Sequence, residues 1–326
     1  MNNNSIDLQA VIQSGTAIYD SSNWGKILVG DRDRLRFLHN QSTADFEKLK
    51  SGSSCDTVFV TSTARTIDLA TGIVLDDEVL LIVSPNRREY LFNWLDRYIF
   101  FADRVKLTDV TDRMASFTLM GADSDRVLTE LGCTALAGIS DHSHQLVNIA
   151  GIEVRILTGT ELGLPGYRLV CSKDSGVLLQ QKIIDLGTVA IDEHAWECLR
   201  IQQGRPKPDA ELTEDYNPLE VGLWQNVSFT KGCYIGQETI ARLNTYKGVK
   251  QYLWGIELTA QVTVGTLLTV DGEKVGVLTS CNETDGKIMG LGYVRAKAGG
   301  IGLKVMAADV EGEIVNIPFI SHDYPI

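Results

Sequence analysis

The chain has 326 residues, 30 Lys or Arg against 42 Asp or Glu, for a formal charge of −12. With no basic cluster anywhere, non-specific nucleic-acid binding is disfavoured, because neutralising phosphates needs a positive patch. The 44% hydrophobic content fits a globular protein long enough for two or three domains. No apolar run approaches a membrane span, so neither a nucleic acid nor a membrane is an expected partner.

Six cysteines (55, 133, 171, 198, 233 and 281) are dispersed with no C-x-x-C, which reads as a reducing compartment, not a disulfide framework. The start, MNNNSIDLQAVIQ, has neither a signal-peptide core nor an Arg-rich transit character, and a cytoplasmic location is expected.

In chain order, Lys26–Val29 reads as a strand. Asp31–Asn40 follows as a helix with Leu35, Phe37 and Leu38 on its apolar face and Asp31 or Asp33 as cap. Thr57–Thr61 alternates in the strand period, and Val79–Val83 is a continuous apolar run of a buried strand, with Asp76-Asp77 turning the hairpin before it. Ser84-Pro85 opens a helix whose Tyr90, Leu91, Trp94, Leu95 and Tyr98 recur at core spacing.

A second unit begins near Ser116. Strands at Phe117–Met120, Gln145–Ile149, Ile152–Leu157 and Tyr167–Cys171 alternate with helices at Ser124–Leu131 and Ser175–Leu186, a ferredoxin-like split pattern. Asp192–Gln203 is a further helix, capped by Asp192, with Ala195, Trp196 and Leu199 facing inward. His194 has no second ligand at helical spacing. His142 and His144 flank Ser143 in a polar loop without a Cys or carboxylate cluster, so no metal site is expected. After residue 246 the texture changes to short glycine-broken strands with Asp271-Gly272 and Asp285-Gly286 as hairpin turns, the pattern of a small antiparallel barrel over 246–326.

The octet Lys231-Gly232-Cys233-Tyr234-Ile235-Gly236-Gln237-Glu238 stands out. Its glycines allow a tight loop, and Glu238–Leu243 reads as a helix with an acid in its first turn. A cysteine ahead of a helix start, with a lysine two residues before it, is a setting that favours a thiolate; the plainer reading is a buried, space-filling cysteine. Lys231 with Arg242 could also attract an anion.

Three further stretches are ordered along the chain: Phe37-Leu38-His39-Asn40-Gln41-Ser42-Thr43-Ala44-Asp45, Leu199–Pro206 (LRIQQGRP), and Asn217-Pro218-Leu219-Glu220-Val221-Gly222-Leu223. Together with the octet they resemble the YgfZ-type folate-binding proteins, relatives of the glycine-cleavage T-protein (aminomethyltransferase). The resemblance implies an α+β, T-protein-like fold. Its folate-binding region would span 1–245 as two α+β lobes, about 1–115 with later segments and a ferredoxin-like 116–190, followed by the C-terminal barrel. A cavity bounded by the lobes and the octet loop would hold tetrahydrofolate or a derivative.

Carried over residue by residue, Gln41, Thr43, Asp68, Arg200, Glu220, Tyr234, Gln237, Glu238 and Arg242 become candidate folate contacts, and Cys233 and Lys231 the reactive pair. Carboxamides and carboxylates suit a pterin, while Arg and Lys suit a glutamate tail. Each has a plainer role: Gln41 and Thr43 satisfying backbone groups, Arg200 a structural ion pair, Glu220 a cap. Two departures count against aminomethyl transfer. The T-protein's acidic pair is reduced to Asp68 beside Leu69. Its G-x-x-G-[YF]-E reads Gly163-Leu164-Pro165-Gly166-Tyr167-Arg168 here, and an arginine cannot accept a pterin's donor hydrogens. The implied function is tetrahydrofolate-dependent support of iron–sulfur protein assembly or repair, with reduced folate and iron–sulfur client or assembly proteins as partners. A one-carbon transferase and a scaffold that has lost folate are the alternatives.

Overall fold

The computed structural model describes residues 7–133, 142–284 and 286–323. The elements run α1 (Leu8–Ser14), β1 (Ala17–Asp20), β2 (Gly25–Gly30), α2 (Arg34–Gln41), β3 (Ser54–Val60), β4 (Thr66–Val74), β5 (Glu78–Val83), α3 (Arg88–Asp96) and β6 (Lys106–Asp109). There follow β7 (Met114–Met120), α4 (Ser124–Glu130), β8 (His144–Ile149), β9 (Ile152–Thr158), β10 (Gly166–Ser172), α5 (Gly176–Asp185), β11 (Val189–Ile191), α6 (Glu193–Gln203), α7 (Pro218–Val221) and α8 (Gln237–Thr245). Six strands close the chain: β12 (Gln251–Leu258), β13 (Leu267–Val270), β14 (Glu273–Thr284), β15 (Lys287–Arg295), β16 (Lys304–Ala307) and β17 (Val310–Val315).

These elements divide into two compact units: Met1–Arg34, Lys48–Cys55 and Thr71–Trp196 in one, Leu35–Glu47, Asp56–Ala70 and Glu197–Ile326 in the other. The first unit holds a six-stranded sheet in the order β11-β1-β7-β10-β9-β8. Its β7-α4-β9-β10-α5-β11 segment is the ferredoxin-like unit. β8 extends one edge, and β1 inserts between β7 and β11, antiparallel to one and parallel to the other. Alternate residues Phe117 and Leu119 of β7, Val154 and Ile156 of β9 and Leu169 and Cys171 of β10 bury one face, against Val127 and Leu128 of α4 and Leu179 and Ile183 of α5. A five-stranded sheet has the order β3-β4-β5-β2-β6.

Several local expectations are corrected. At the start of α2 the Arg34 amide donates to the Asp31 carbonyl at 3.3 Å, and the Asp33 carboxylate accepts the Arg104 amide at 3.0 Å. Ser84 makes no side-chain cap; Pro85 opens a short 3₁₀ turn, Pro85–Arg87, before α3. Tyr90 is exposed, whereas Leu91, Trp94 and Leu95 are the buried stripe of α3. His144 lies in strand β8, not in a loop. It is buried, with Nε2 at 2.9 Å from the Val74 carbonyl oxygen and Nδ1 at 2.9 Å from an Arg155 nitrogen.

In the second unit β12–β17 close an antiparallel barrel in the order β12-β15-β14-β13-β16-β17. Asp271 and Gly272, both left-handed at φ 52° and 80°, make the two-residue turn joining β13 to β14. Asp285 of the other expected turn lies outside the described residues. Among the described residues no helix is long and apolar enough to cross a membrane.

Candidate functional site

All eleven candidate residues lie in or beside four segments of the second unit: the end of α2, the β3–β4 hairpin, α6–α7, and the octet loop leading into α8. The first and last of these interlock. An α-helix leaves its last carbonyls unpaired, and α2 ends in a run of such groups. Lys231 answers them: its ammonium, buried, donates to the carbonyls of His39, Ser42 (2.7 Å) and Ala44 (2.7 Å). The cation also lies 4.6 Å from the ring centroid of Tyr234. On either side of it the Ile235 amide donates to the Asn40 carbonyl at 3.0 Å and the Ser228 amide to the Thr43 carbonyl at 3.0 Å. Thr43 ties the same segments, its hydroxyl donating to the Asn226 carbonyl (2.6 Å) and accepting from the Val58 amide (2.9 Å).

In the structure Lys231 is a backbone clamp. An ammonium has three donors, and three carbonyls take them. Cys233, two residues on, is exposed. The octet thus presents an accessible thiol on a loop fastened before and after it, and the space-filling reading fails at this position. By contrast Cys133, Cys171 and Cys198 are buried, and burial pushes the Cys171 thiol up to about 11.

The two octet glycines differ. Gly236 is left-handed (φ 81°), and a Cβ there would lie 2.9 Å from the Thr61 carbonyl oxygen and 3.0 Å from Val60 Cγ2. That close approach seats the start of α8 on the β3–β4 turn. Gly232 has no such φ, and its Cβ would meet only His39 Nε2, at 3.4 Å. Tyr234 is buried, which raises its hydroxyl to about 12. Gln237 is half-buried, and Glu238 and Arg242 are exposed one turn apart on α8.

Arg200 is a structural hub, the plainer of its two readings. It is 2% exposed, and each of its five N–H donors is spent internally. Nε and NH2 fork onto Glu197 at 2.8 Å each, and NH2 also reaches Ser280 Oγ at 2.7 Å. NH1 donates to the Arg205 carbonyl (2.7 Å) and Glu211 (3.1 Å). Glu211, which the sequence reading passed over, is fully buried and also accepts from Thr279 (2.7 Å), Ser280 (2.6 Å) and the Lys207 amide (3.2 Å). Glu220 likewise is a cap: its carboxylate accepts the Asn217 amide at 3.1 Å while Asn217 Oδ1 accepts the Leu219 and Glu220 amides. Burial raises the Glu220 carboxyl above its usual range. Asp68 is fully buried on β4.

Gln41 differs from all of these. It is buried, and among the described residues its Oε1 has no hydrogen-bond partner. Buried polar atoms are normally satisfied, by protein or by ordered water, so this acceptor is available to a donor from either source. Beside it in sequence, His39 lies buried with Nδ1 3.1 Å from Asp45 Oδ1, and burial, then the nearby Lys231 cation, lower its pKa. In the first unit Arg168 is buried on β10 and donates to Thr71 Oγ1 at 2.7 Å; its register partner Thr118 donates to the buried Glu161 at 2.7 Å.

Comparison with known proteins places this geometry. The model of the GCVT N-terminal domain matches residues 5–231. An Arabidopsis thaliana protein whose name assigns it, provisionally, to the chloroplastic transferases is 41% identical over 317 residues, covering 96% of this chain and 73% of that one. The aminomethyltransferase of Halothermothrix orenii is 27% identical, with 97% and 91% covered. The crystal structure of the glycine cleavage system aminomethyltransferase T from Bartonella henselae superposes with a TM-score of 0.84 at 18% identity, covering 97% of this chain and 90% of that one, a likeness of fold. With the ferredoxin-like unit, the closed barrel and a domain match over most of its length, the chain belongs to the GCVT-domain family, relatives of aminomethyltransferase.

Proposed function

We propose that the chain is a YgfZ-type member of its family that binds tetrahydrofolate or a derivative and supports the assembly or repair of iron–sulfur proteins. The observation that carries this reading is the octet loop: an exposed Cys233 between backbone segments pinned to the end of α2. A loop so fastened holds its thiol in one place without burying it, which suits a reactive group and gives a packing atom nothing to pack against.

Reduced folate is the ligand class that fits the residues nearby. The orphaned Oε1 of Gln41 accepts an N–H donor, and a pterin ring offers several. Glu238 can accept such donors, and Arg242 can pair with the carboxylates of a glutamate tail. When bound, tetrahydrofolate supplies ring and side-chain amines that carry one-carbon units. Arg200, Glu220 and Lys231 hold the site's frame. Iron–sulfur client or assembly proteins are the partners in this reading. A reducing compartment suits the free cysteines, either the cytoplasm or an organelle such as the one in the Arabidopsis relative's name.

The test is Cys233→Ser with three readouts: melting temperature, tetrahydrofolate affinity and the activity of iron–sulfur enzymes in the host. The first two should hold and the third should fall. Native alkylation should label Cys233 well before Cys171 or Cys198. Iron–sulfur activities that survive the substitution would remove the thiol from the function. A second reading, a folate-dependent one-carbon transferase, is favoured by the relatives named aminomethyltransferase. Steady release of one-carbon units from an aminomethylated carrier protein, lost in Asp68→Asn, would establish it.

A further inference from the structure

We infer that His39 is the base that takes the proton of the Cys233 thiol, with Asp45 behind it and Gly232 keeping its open edge uncovered. The inference rests on the reading of Cys233 as the working thiol. All four residues belong to the second unit.

His39 lies in the last turn of α2 and is 4% exposed. A buried polar side chain normally spends its nitrogens on partners. Here Nδ1 is 3.1 Å from Asp45 Oδ1, an ion-pair distance out of line for a hydrogen bond. Nε2 has no hydrogen-bond partner among the described residues, and it faces the octet: a Cβ built on Gly232 would stand 3.4 Å from it. The backbone at Gly232 does not require glycine, since its φ is not left-handed. The space over Nε2 does, because a side chain extending past Cβ would cover the nitrogen. Cys233 is the next residue. It is exposed, on a loop whose Lys231 and Ile235 are fastened to the carbonyls at the end of α2. One glycine therefore separates an accessible thiol from the open nitrogen of a buried imidazole.

A carboxylate beside Nδ1 holds the ring proton there and leaves the lone pair on Nε2. The S–H bond then breaks with its electron pair staying on sulfur. The proton forms an N–H bond at Nε2, directly or through one water. The products are a thiolate, ready to attack a soft electrophile, and an imidazolium backed by Asp45. The charged groups facing the ring are Asp45, Glu47 at 3.9 Å, and the Lys231 ammonium on the His39 carbonyl. Burial, then Lys231, lower the His39 pKa below its usual 6.5, while Glu47 and Asp45 oppose them. The ring is thus neutral, and able to accept a proton, at neutral pH.

The test is alkylation of the full chain by iodoacetamide across pH, read cysteine by cysteine with mass spectrometry, in the natural chain, His39→Gln and Asp45→Asn. In the natural chain the Cys233 rate should rise through an inflection below pH 6.5 as His39 becomes neutral. His39→Gln should lose that inflection and keep only that of an unassisted thiol, at about 8.5. Its Cys233 should react about tenfold more slowly at neutral pH, where an unassisted thiol is only a few per cent thiolate. Asp45→Asn should move the inflection to lower pH, because the carboxylate favours the charged ring; a merely structural Asp45 would not move it. Loosening of the fold cannot imitate these results, since it would speed the labelling of every cysteine, the buried Cys171 and Cys198 included. An unchanged Cys233 profile in His39→Gln, or an unmoved inflection in Asp45→Asn, would overturn the inference and leave the thiol's own role standing. A natural chain in which Cys233 labels no faster than Cys171 would remove the reactive thiol, and the inference with it.

Discussion

Replacing Gly236 by alanine isolates the joint between the octet and the β3–β4 turn. Two penalties add at this position. A left-handed φ of 81° costs an alanine about 1–2 kcal/mol relative to glycine. The new Cβ would also stand 2.9 Å from the Thr61 oxygen, 3.0 Å from Val60 Cγ2 and 3.1 Å from Ala64 Cα. Two of those neighbours are backbone atoms in a closed turn, where the Thr61 amide donates to the Arg65 carbonyl at 2.8 Å, so relief requires moving the turn. Overpacking of that kind costs about 1–3 kcal/mol, for a total of roughly 2–5 kcal/mol. Gly232→Ala is the matched control in the same loop, with no left-handed φ and one contact at 3.4 Å to a side-chain atom. Its loss should stay under about 1 kcal/mol. Urea unfolding of the two variants, followed by tryptophan fluorescence, measures the difference. If Gly232→Ala proves as damaging as Gly236→Ala, the assignment of the joint to Gly236 is wrong.

Arg200→Met should destabilise the second unit by about 3 kcal/mol or more, because it leaves the Glu211 carboxylate buried without its cation. In the double variant Arg200→Met/Glu211→Gln the loss should be smaller than the sum of the singles, measured by the same urea melts. Lys26 supplies a pH test. It is fully buried with its ammonium on the carbonyls of Ser22 and Trp24, and burial lowers it from 10.5 to about 8. Below about 8 both folded and unfolded states carry the proton, so the penalty of burying the charge, about 3 kcal/mol, is fully present. As pH rises toward 10.5 the folded state gives up its proton first and the penalty disappears. Lys26→Met should therefore gain stability over the natural chain at pH 7 and lose that advantage by about pH 10. An advantage that does not change with pH would contradict the assignment.

What the sequence revealed about the site depended on how local each signal was. Asn217-Pro218-Leu219-Glu220 is a capping box whose two partners lie three residues apart, so Glu220 could be read as a cap before any coordinates. Asp271-Gly272 announced its hairpin in the same way. Lys231 could not be read so. Its partners are carbonyls some 190 positions upstream, and backbone carbonyls leave no mark in a sequence; the nearest chemistry in the chain was Cys233, and the lysine was credited to it. Arg200 is similar, since Ser280 and Glu211 come from a strand and a loop beyond its helix. The ferredoxin-like pattern was legible, but β1 was not: four residues, Ala17–Asp20, enter the sheet between strands far along the chain, and only tertiary pairing makes them a strand.

Ligand-linked melting of the natural chain beside Gln41→Leu tests the folate reading most directly. Removing a carboxamide whose buried Oε1 has no partner among the described residues should leave the free protein as stable as before or slightly more so. Tetrahydrofolate at a large excess over a micromolar dissociation constant should raise the melting temperature of the natural chain, since about 2.7 kcal/mol of linkage accrues at a hundredfold excess, and should raise that of Gln41→Leu much less. A natural chain whose melting temperature does not move at that concentration contradicts the account and leaves a GCVT fold that has given up its folate.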